Sequence, residues 1–438
     1  MTRLERIAHY VRDGWTALTR PAGGRVYRYE PTMDSMRAVL TRGITFERLD
    51  TLLRDGDDGD ITDAMILFDE IERSDARVFS LAGTRRRALI GLGWEIVSAA
   101  DKQSEHVDKA LADDAAAYAR ERIDSIDTFD TALSHLATAI GPNLAVLELI
   151  WEPGELIDLA PIPSWRLTMR PEKSPAIRVL TADERTYGVE AVGLKWCVHL
   201  PNGMSGSPID RSLHRAQAMI WLWKKLALCD WGAFCELFGM PVRVGRYDPG
   251  VSDAEKTNLR AMLEGMGSRG WAMISRAVEI VFAESSQRGI APFEAFLGWL
   301  TRESAVLWLG GNLTSDTSGG TGTYAAASVQ DEVRDDLRDA DIQAEARTVR
   351  EQILAPMVRC KFPGRDVPVP YFERTVPEDS LQVAARVAAW QRVGLRVPAD
   401  WARSQSGIPE PEPDEKVLEP PDAFEEGLRE GGGFEVGG

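Results

Sequence analysis

The chain has 438 residues, enough for two or three domains and more than one modest core needs. With 44% hydrophobic and 27% charged residues it has the balance of a globular protein, which excludes a wholly disordered chain. Sixty-eight acidic residues against 51 basic ones give a formal net charge of −17, so the chain is not a polycation that wraps nucleic acid by neutralising phosphates.

Residues 1–30 read as a weakly structured arm broken at Pro21-Ala-Gly-Gly24, and they lack the apolar run of a signal peptide. From Asp34 the pattern is mainly helical. Ala64, Leu67, Phe68 and Ile71 recur three and four apart, which predicts an amphipathic helix over Ile61 to Asp75. A second helix is expected from Asp75 to about Ile90, ending at Gly91-Leu-Gly93, then a strand from Trp94 and a helical zone from His106 to about Ala139. Between 143 and 200 the period shortens. Leu144 to Trp151, the stretch from Leu156 broken by Pro161 and Pro163, Ile177 to Leu180, and Val192 to Leu200 read as strands of one mostly antiparallel sheet. Strands do not alternate with helices, so a doubly wound nucleotide-binding fold is not expected.

Ser207-Pro-Ile-Asp210 carries the signature of a helix start, and the helix it opens is expected to run to Gly239. Its second half is apolar around most of its circumference. Lys224, Lys225, Asp230 and Glu236 interrupt it, so it should be a sheathed helix rather than a membrane span. Met240 to Val244 and Ala272 to Phe282 read as strands around a short helix at Ser252 to Leu263. A second apolar helix is expected from Gly289 to Leu309, with Phe293, Phe296, Leu297 and Leu300 on overlapping faces. The tract 310–323 holds five glycines and reads as a mobile loop. Tyr324 to Ala355 should form a long helix with Ala326, Val329, Val333, Leu337, Ala340 and Ala344 on one face, stopped by Pro356. Val367 to Phe372 reads as a strand, and Pro377 to Gln405 as helix interrupted around Gly394 to Pro398. Residues 409–438, with ten acidic and two basic side chains, read as a disordered acidic tail.

Few motifs carry chemistry. There is no P-loop, Gly91-x-Gly93 reads as a helix cap, and Gly203-Met-Ser-Gly-Ser207 lacks the final glycine of a nucleophile elbow. The histidines (His9, His106, His135, His199, His214) stand apart, without metal-ligand spacing, and read as structural or surface positions. Cys197, Cys229, Cys235 and Cys360 are too scattered for a disulfide framework, which points to a reduced, cytoplasmic setting; Cys229 and Cys235 read as core residues. No catalytic residue, cofactor site or metal site is expected. Arg85-Arg86-Arg87 reads as a solvated helix face or a subunit contact, with a phosphate or acidic-partner contact as the alternative.

The order of parts resembles the portal proteins of tailed bacteriophages, and in particular the Mu-type (prophage) portal family. The residues that carry the resemblance are Arg87-Ala-Leu-Ile-Gly-Leu-Gly-Trp-Glu-Ile96, the helix around His214-Arg-Ala216, and Asp230-Trp-Gly-Ala-Phe-Cys-Glu-Leu-Phe-Gly-Met-Pro-Val-Arg-Val-Gly-Arg-Tyr247. Leu309-Gly-Gly-Asn-Leu-Thr314, Ala325-Ala-Ala-Ser-Val329, Gly394-Leu-Arg-Val-Pro398 and Gly407-Ile-Pro409 continue it. The long Ser/Thr/Gly stretch at 315–323 departs from the pattern, where a shorter link is expected.

The resemblance implies a mainly helical α+β fold with portal-like architecture. Its parts would be an N-terminal arm (1–30), a wing (31–206), stem helix 1 (207–239), a small α/β clip (240–286), stem helix 2 (287–309), a tunnel loop (310–324), a wing helix and strand (325–376), a helical crown (377–407) and the tail (408–438). It implies a ring, expected to be a dodecamer, at one capsid vertex, through which double-stranded DNA passes non-specifically during packaging and ejection. Implied partners are the terminase large subunit, capsid and scaffolding proteins and a head–tail adaptor, with no membrane. The chain would reside in the virion, and in the host cytoplasm during assembly. A head–tail adaptor or minor capsid protein without a channel role is the alternative. The expected DNA-facing loop residues are Asn312, Leu313, Thr314, Ser315, Asp316, Thr317 and Ser318. Trp221, Trp223, Phe293 and Phe296 are expected at stem contacts between copies. Asp210, Arg211, Arg215, Lys224 and Lys225 are candidates for inter-subunit pairs or a lumen-facing band, ordinary solvated positions being the alternative.

Overall fold

Asp75 shows how the chain turns from one helix into the next. Its carboxylate accepts from the backbone N–H of Arg77 (2.9 Å) and Val78 (3.4 Å), so it ends one helix and caps the next. In this computed structural model, residues 43–102, 107–170, 174–239, 242–247, 250–265, 278–283, 290–311, 324–375 and 380–406 are described. The chain divides into two units after Thr375.

The first unit opens with helices α1 (Phe46–Asp57), α2 (Thr62–Ser74) and α3 (Ala76–Ile90), followed by strand β1 (Gly93–Val97). The expected apolar stripe of α2 is buried: Ala64, Leu67, Phe68 and Ile71 face one core. The helical zone after His106 is several pieces. The short α4 (Ala99–Lys102) precedes them, and the pieces are α5 (Lys109–Asp124), α6 (Phe129–Leu136) and a 3-10 turn (Ala137–Ile140).

The strands expected in a single sheet form two, and a further sheet joins β1 to a late strand, all antiparallel. Strand β2 (Ala145–Glu152) lies between β3 (Glu155–Ile162) and β7 (Trp196–His199); β4 (Leu167–Arg170), β5 (Ser174–Val179) and β6 (Val189–Glu190) form the second; β1 pairs with β10 (Tyr371–Thr375). Pro161 does not end β3, because β3 is an edge strand where a missing N–H is tolerated. The other edges are closed by side chains. Arg120 donates to Ile96 O of β1 (2.7 Å) and Arg122 to Leu156 O of β3 (2.6 Å). Along β7, Val198 N–H donates to Gln352 Oε1 (2.8 Å) while Gln352 Nε2 donates to Val198 O (2.7 Å). Alternate residues of β2 feed two cores. Val146 joins the one shared with α1–α3, and Leu147 and Leu149 join the one under α5 and α6.

Ser207-Pro-Ile-Asp210 opens only a 3-10 turn (Pro208–Arg211), in which Ser207 N–H donates to Asp210 Oδ2 at 3.2 Å. Ser212 is extended, and the long helix α7 (Leu213–Gly239) starts after it. Strands β8 (Val242–Tyr247) and β9 (Val278–Ala283) pair antiparallel, with helix α8 (Asp253–Gly265) between them in sequence. Helix α9 (Ile290–Leu309) returns alongside α7. Gln217 Nε2 donates to Ser304 Oγ (3.1 Å), and Trp308 Nε1 donates to Gln217 Oε1 (3.3 Å).

Helix α10 (Tyr324–Val349) is not stopped by Pro356. A π turn (Arg350–Leu354) follows it, in which Ala355 N–H reaches Arg350 O, and α11 (Ala355–Lys361) continues. The widened turn restarts the hydrogen-bond ladder, so Pro356 falls in a first turn, where its missing N–H is not needed. The face of α10 turned inward also differs from the apolar one expected: Ala340 is exposed, while Asp341, Glu345 and Thr348 are buried. Partners on the body explain this. Glu345 receives both Arg374 Nε (2.7 Å) and Nη2 (2.9 Å), and Thr348 lies 2.8 Å from His199 Nδ1.

In the second unit, helices α12 (Ser380–Arg392) and α13 (Ala399–Ser406) are linked through Gly394 at φ 85, with Trp390 and Trp401 rings 5.8 Å apart. Among the described residues no helix is long and apolar enough to cross a membrane.

Candidate functional site: the stem and its root

The two apolar helices α7 and α9 enter the body through one shared core. Trp221, Leu222 and Trp308 pack with Leu49, Leu52, Phe68 and Ile71. Three buried polar devices fix that entry.

The first is the turn 141–143. Asn143 adopts φ 61, the left-handed region, and is fully buried. Its Nδ2 donates to Gly203 O (2.9 Å) and Pro208 O (2.8 Å), and its Oδ1 accepts from Asn202 N–H (2.9 Å). Gly141 O accepts from Ser212 Oγ (2.9 Å) and His214 N–H (3.3 Å). Gly141 must be glycine, since a Cβ there would lie 2.2 Å from His214 Cε1.

The second device is a charged cluster at the start of α7. Arg86 grips Glu72 with both terminal nitrogens and also donates to Thr138 O (3.3 Å). His214 stacks on Phe68 (5.5 Å between centroids), meets Trp308 edge-on (5.2 Å), and holds Nε2 at 3.6 Å from Glu72. Burial lowers the His214 pKa below its usual value, so the ring is neutral at pH 7. Burial alone would raise the Glu72 carboxyl, but the adjoining His214 and Arg86 outweigh it and bring it to about 2.

The third device ties helix to helix. Lys224 Nζ lies 2.7 Å from each Asp75 oxygen, and Trp221 Nε1 donates to Ser74 Oγ (3.0 Å). Arg215 forks onto Asp57 at 2.6 and 2.7 Å. Arg85 forks onto Asp341 (2.8 and 3.0 Å) and donates to Trp308 O (3.2 Å), so it joins α3, the end of α9 and α10.

These contacts correct several sequence expectations. Arg215, Lys224 and Trp221, expected between copies or along a lumen, are engaged inside their own chain; Trp221 is only 3% exposed. Arg85 and Arg86 are internal anchors rather than a solvated face or a subunit contact, while Arg87 is exposed. Cys229 and Cys235 are exposed, not core. Other expected residues remain on the surface. Arg211 donates to Asn202 O (2.8 Å), Asp210 is exposed, and Lys225 sits 4.8 Å over the Trp221 ring. Trp223 is 44% exposed and lies between Phe46 (4.6 Å) and Phe296 (6.0 Å), while Phe293 meets Trp231 (6.4 Å) and Phe234 (5.9 Å). Asn312, Leu313, Thr314, Ser315, Asp316, Thr317 and Ser318 lie outside the described residues, as do His9, His106, the arm and the acidic tail. Gly310, at φ 70 ahead of that tract, is tucked under Val333, where a Cβ would come within 2.5 Å of the valine.

Sequence reasoning passed over Asn143, Glu72 and Asp75. Gly141-Pro-Asn143 did carry a turn signal, since Asn tolerates the left-handed region. Nothing marks Glu72 among 68 acidic residues, and Asp75, legible as a helix start, gives no sign of its contact with α7. Among the described residues no three His, Cys, Asp or Glu side chains converge to hold a metal ion. Burial lowers His135 and His199 to about 4 and pushes the Cys197 thiol up to about 12, so none of the three is poised for proton transfer or attack at neutral pH.

The family model described as the portal protein of Mu bacteriophage matches residues 65–408. The Mu-like prophage FluMu protein gp29 of Haemophilus influenzae is 25% identical over 387 residues, covering 86% of this chain and 73% of the relative. The portal protein of Escherichia phage Mu is 26% identical over 394 residues, with the same coverage of 86% and 73%. Among solved structures, a chain of the native gene transfer agent virion superposes with a TM-score of 0.54 at 12% identity, over 80% of this chain and 94% of that one. A chain from the neck of that particle, computed with C12 symmetry, gives 0.52 at 13% identity, over 76% and 90%. At such identities these two structures speak for the fold, a mainly helical α+β architecture with paired long helices. The match of the family model, which spans most of the chain, speaks for more: this protein belongs to the family of Mu bacteriophage portal proteins.

Proposed function

We propose that copies of this chain close into a ring at one vertex of a phage capsid and form the channel through which double-stranded DNA is packaged and ejected and to which the tail is joined. In this reading residues 31–206 and 325–376 are the wing, 207–239 and 287–309 the stem, 240–286 the clip, 310–324 the tunnel loop and 377–407 the crown. The role is structural, with no catalysis by the chain. The chain would work with a terminase large subunit, capsid and scaffolding proteins and a head–tail adaptor, in the virion and, during assembly, in the host cytoplasm.

The observation that carries the ring is the apolar surface that α7 and α9 leave uncovered. Leu228 on α7 is 51% exposed. Val306 on α9 is 48% exposed. Two paired helices that each keep a bare apolar position suit a closed ring, in which each copy has a neighbour on either side. The gene transfer agent necks, computed with C12 symmetry for the native and C6 symmetry for the empty particle, support a cyclic ring, which we take as twelve copies. The charge supports a channel that does not grip: Asp331, Glu332, Asp335, Asp336 and Asp339 are exposed on the helix after the loop, and Arg334 and Arg338 among them are paired with these aspartates.

Native mass spectrometry of the purified chain tests the reading. The wild type is expected as one large closed species and the double variant Leu228→Glu, Val306→Glu as monomers and small oligomers. A double variant that assembles as well as the wild type would show that the stem faces are not the contact.

A further inference from the structure

The half-exposed aromatic rings of the stem form one line. Phe46, at the start of α1, meets Trp223 (4.6 Å), Trp223 meets Phe296 (6.0 Å), and Phe296 stacks on Trp299 (6.2 Å), so the row crosses from the wing over both stem helices. Trp223 and Trp299 are 44% and 50% exposed, and Met219 and Leu226 extend the row along α7, one turn to either side of Trp223. The described chain begins at Gly43, three residues before the first ring of that row, so the 42 residues ahead of it arrive beside the ridge.

Those residues have the composition to cover it. Leu4, Ile7, Ala8, Val11, Trp15 and Leu18 recur at the three- and four-residue spacing of one apolar helical face. Residues 1–42 also hold eight arginines against four acidic residues, in a chain that is otherwise acidic. The surface they would cross has the opposite sign: residues 46–74 hold ten acidic residues against three arginines, and Glu47, Asp50, Asp55, Asp57 and Asp58 are exposed. From Leu18 to Gly43 the chain can span up to about 80 Å, more than the stem face requires. The family match begins at residue 65, so neither the segment nor its anchor at Phe46 belongs to the part that defines the family.

We propose that the N-terminal segment, residues 1–42, docks on the Phe46–Trp223–Phe296–Trp299 ridge, with its apolar stripe on Met219, Trp223 and Leu226 and its arginines over the acidic face of α1. The proposal goes beyond the ring. It assigns this strip of the stem to the segment and leaves the side bearing Leu228 to neighbouring copies.

Photo-cross-linking of the full-length protein tests it. With Met219→p-benzoylphenylalanine, the main adducts are expected on peptides from residues 1–42, and with Leu228→p-benzoylphenylalanine they are expected elsewhere. Adding Leu4→Ser, Ile7→Ser and Val11→Ser should lower the Met219 adduct about tenfold or more, by removing the buried apolar side chains. Far-UV circular dichroism checks that this variant stays folded. Adducts from position 219 that fall only on residues 213–309, or an absence of adducts on 1–42, would overturn the proposal. The readout is which peptide is linked, so it stands apart from whether the chain forms rings.

Discussion

Lys224 and Asp75 lie 149 positions apart in the chain, yet the ammonium sits 2.7 Å from both oxygens of the carboxylate that caps α3. One charge pair therefore closes a helix N-terminus and fixes the height at which α7 leaves α2 and α3. Its neighbour Lys225 is exposed and lies over the Trp221 ring.

The two adjacent lysines should separate sharply. Lys224→Ala leaves Asp75 buried without its cation and is expected to cost about 3 kcal/mol, whereas Lys225→Ala should cost under about 1 kcal/mol. Urea denaturation of the two variants checks this, and equal losses would show that the Asp75 contact does not hold the stem.

The buried Asn143 makes a second test. Asn143→Ala loses three hydrogen bonds and forces alanine into φ 61, for an expected loss of about 3 kcal/mol or more. Asn143→Gly accepts the backbone and loses only the hydrogen bonds, so it should melt higher than the alanine variant. The order of the two midpoints in a thermal scan is the measurement.

Closing a strand edge with a side chain has a measurable value. Gln352→Leu strands the N–H and C=O of Val198 at the edge of β7 and is expected to cost about 2 kcal/mol. A lower urea midpoint with an unchanged slope would bear this out.

Acid should act in two stages. His135 and His199, held near 4 by burial, stay neutral in the fold but take up protons when unfolded, so stability falls as pH drops from about 6.5 to about 4, by up to about 3 kcal/mol for each. Glu72 is held at about 2, so its contribution is fully present above pH 4.5 and is lost as pH falls towards 2. Stability measured from pH 7 to 5 should slope downward in the wild type and less steeply in His199→Asn.

The sequence made the rhythm of the fold legible, and left its fastenings hidden. The stripe Ala64, Leu67, Phe68, Ile71 gave α2, and the breaks at Gly91-Leu-Gly93 and Gly394 stand where the structure turns, because period and turn chemistry are local properties. Lys224, Arg215 and Arg85 looked like free surface charge because their partners Asp75, Asp57 and Asp341 are 149, 158 and 256 residues away. Trp221 and Trp223, two positions apart on one apolar helix, have opposite fates for the same reason: one meets Ser74 and a core, the other a half-open ridge. Pro356 misled because a π turn ahead of it cannot be read from composition. Cys229 and Cys235 misled because an apolar neighbourhood in sequence is not burial within one copy.

Electron microscopy of the purified chain, averaged down its symmetry axis, tests the central claim most directly. Closed rings with a central hole wide enough to pass a DNA duplex are expected. A field of well-folded single copies at high concentration, with α7 and α9 covered by their own chain, would contradict it.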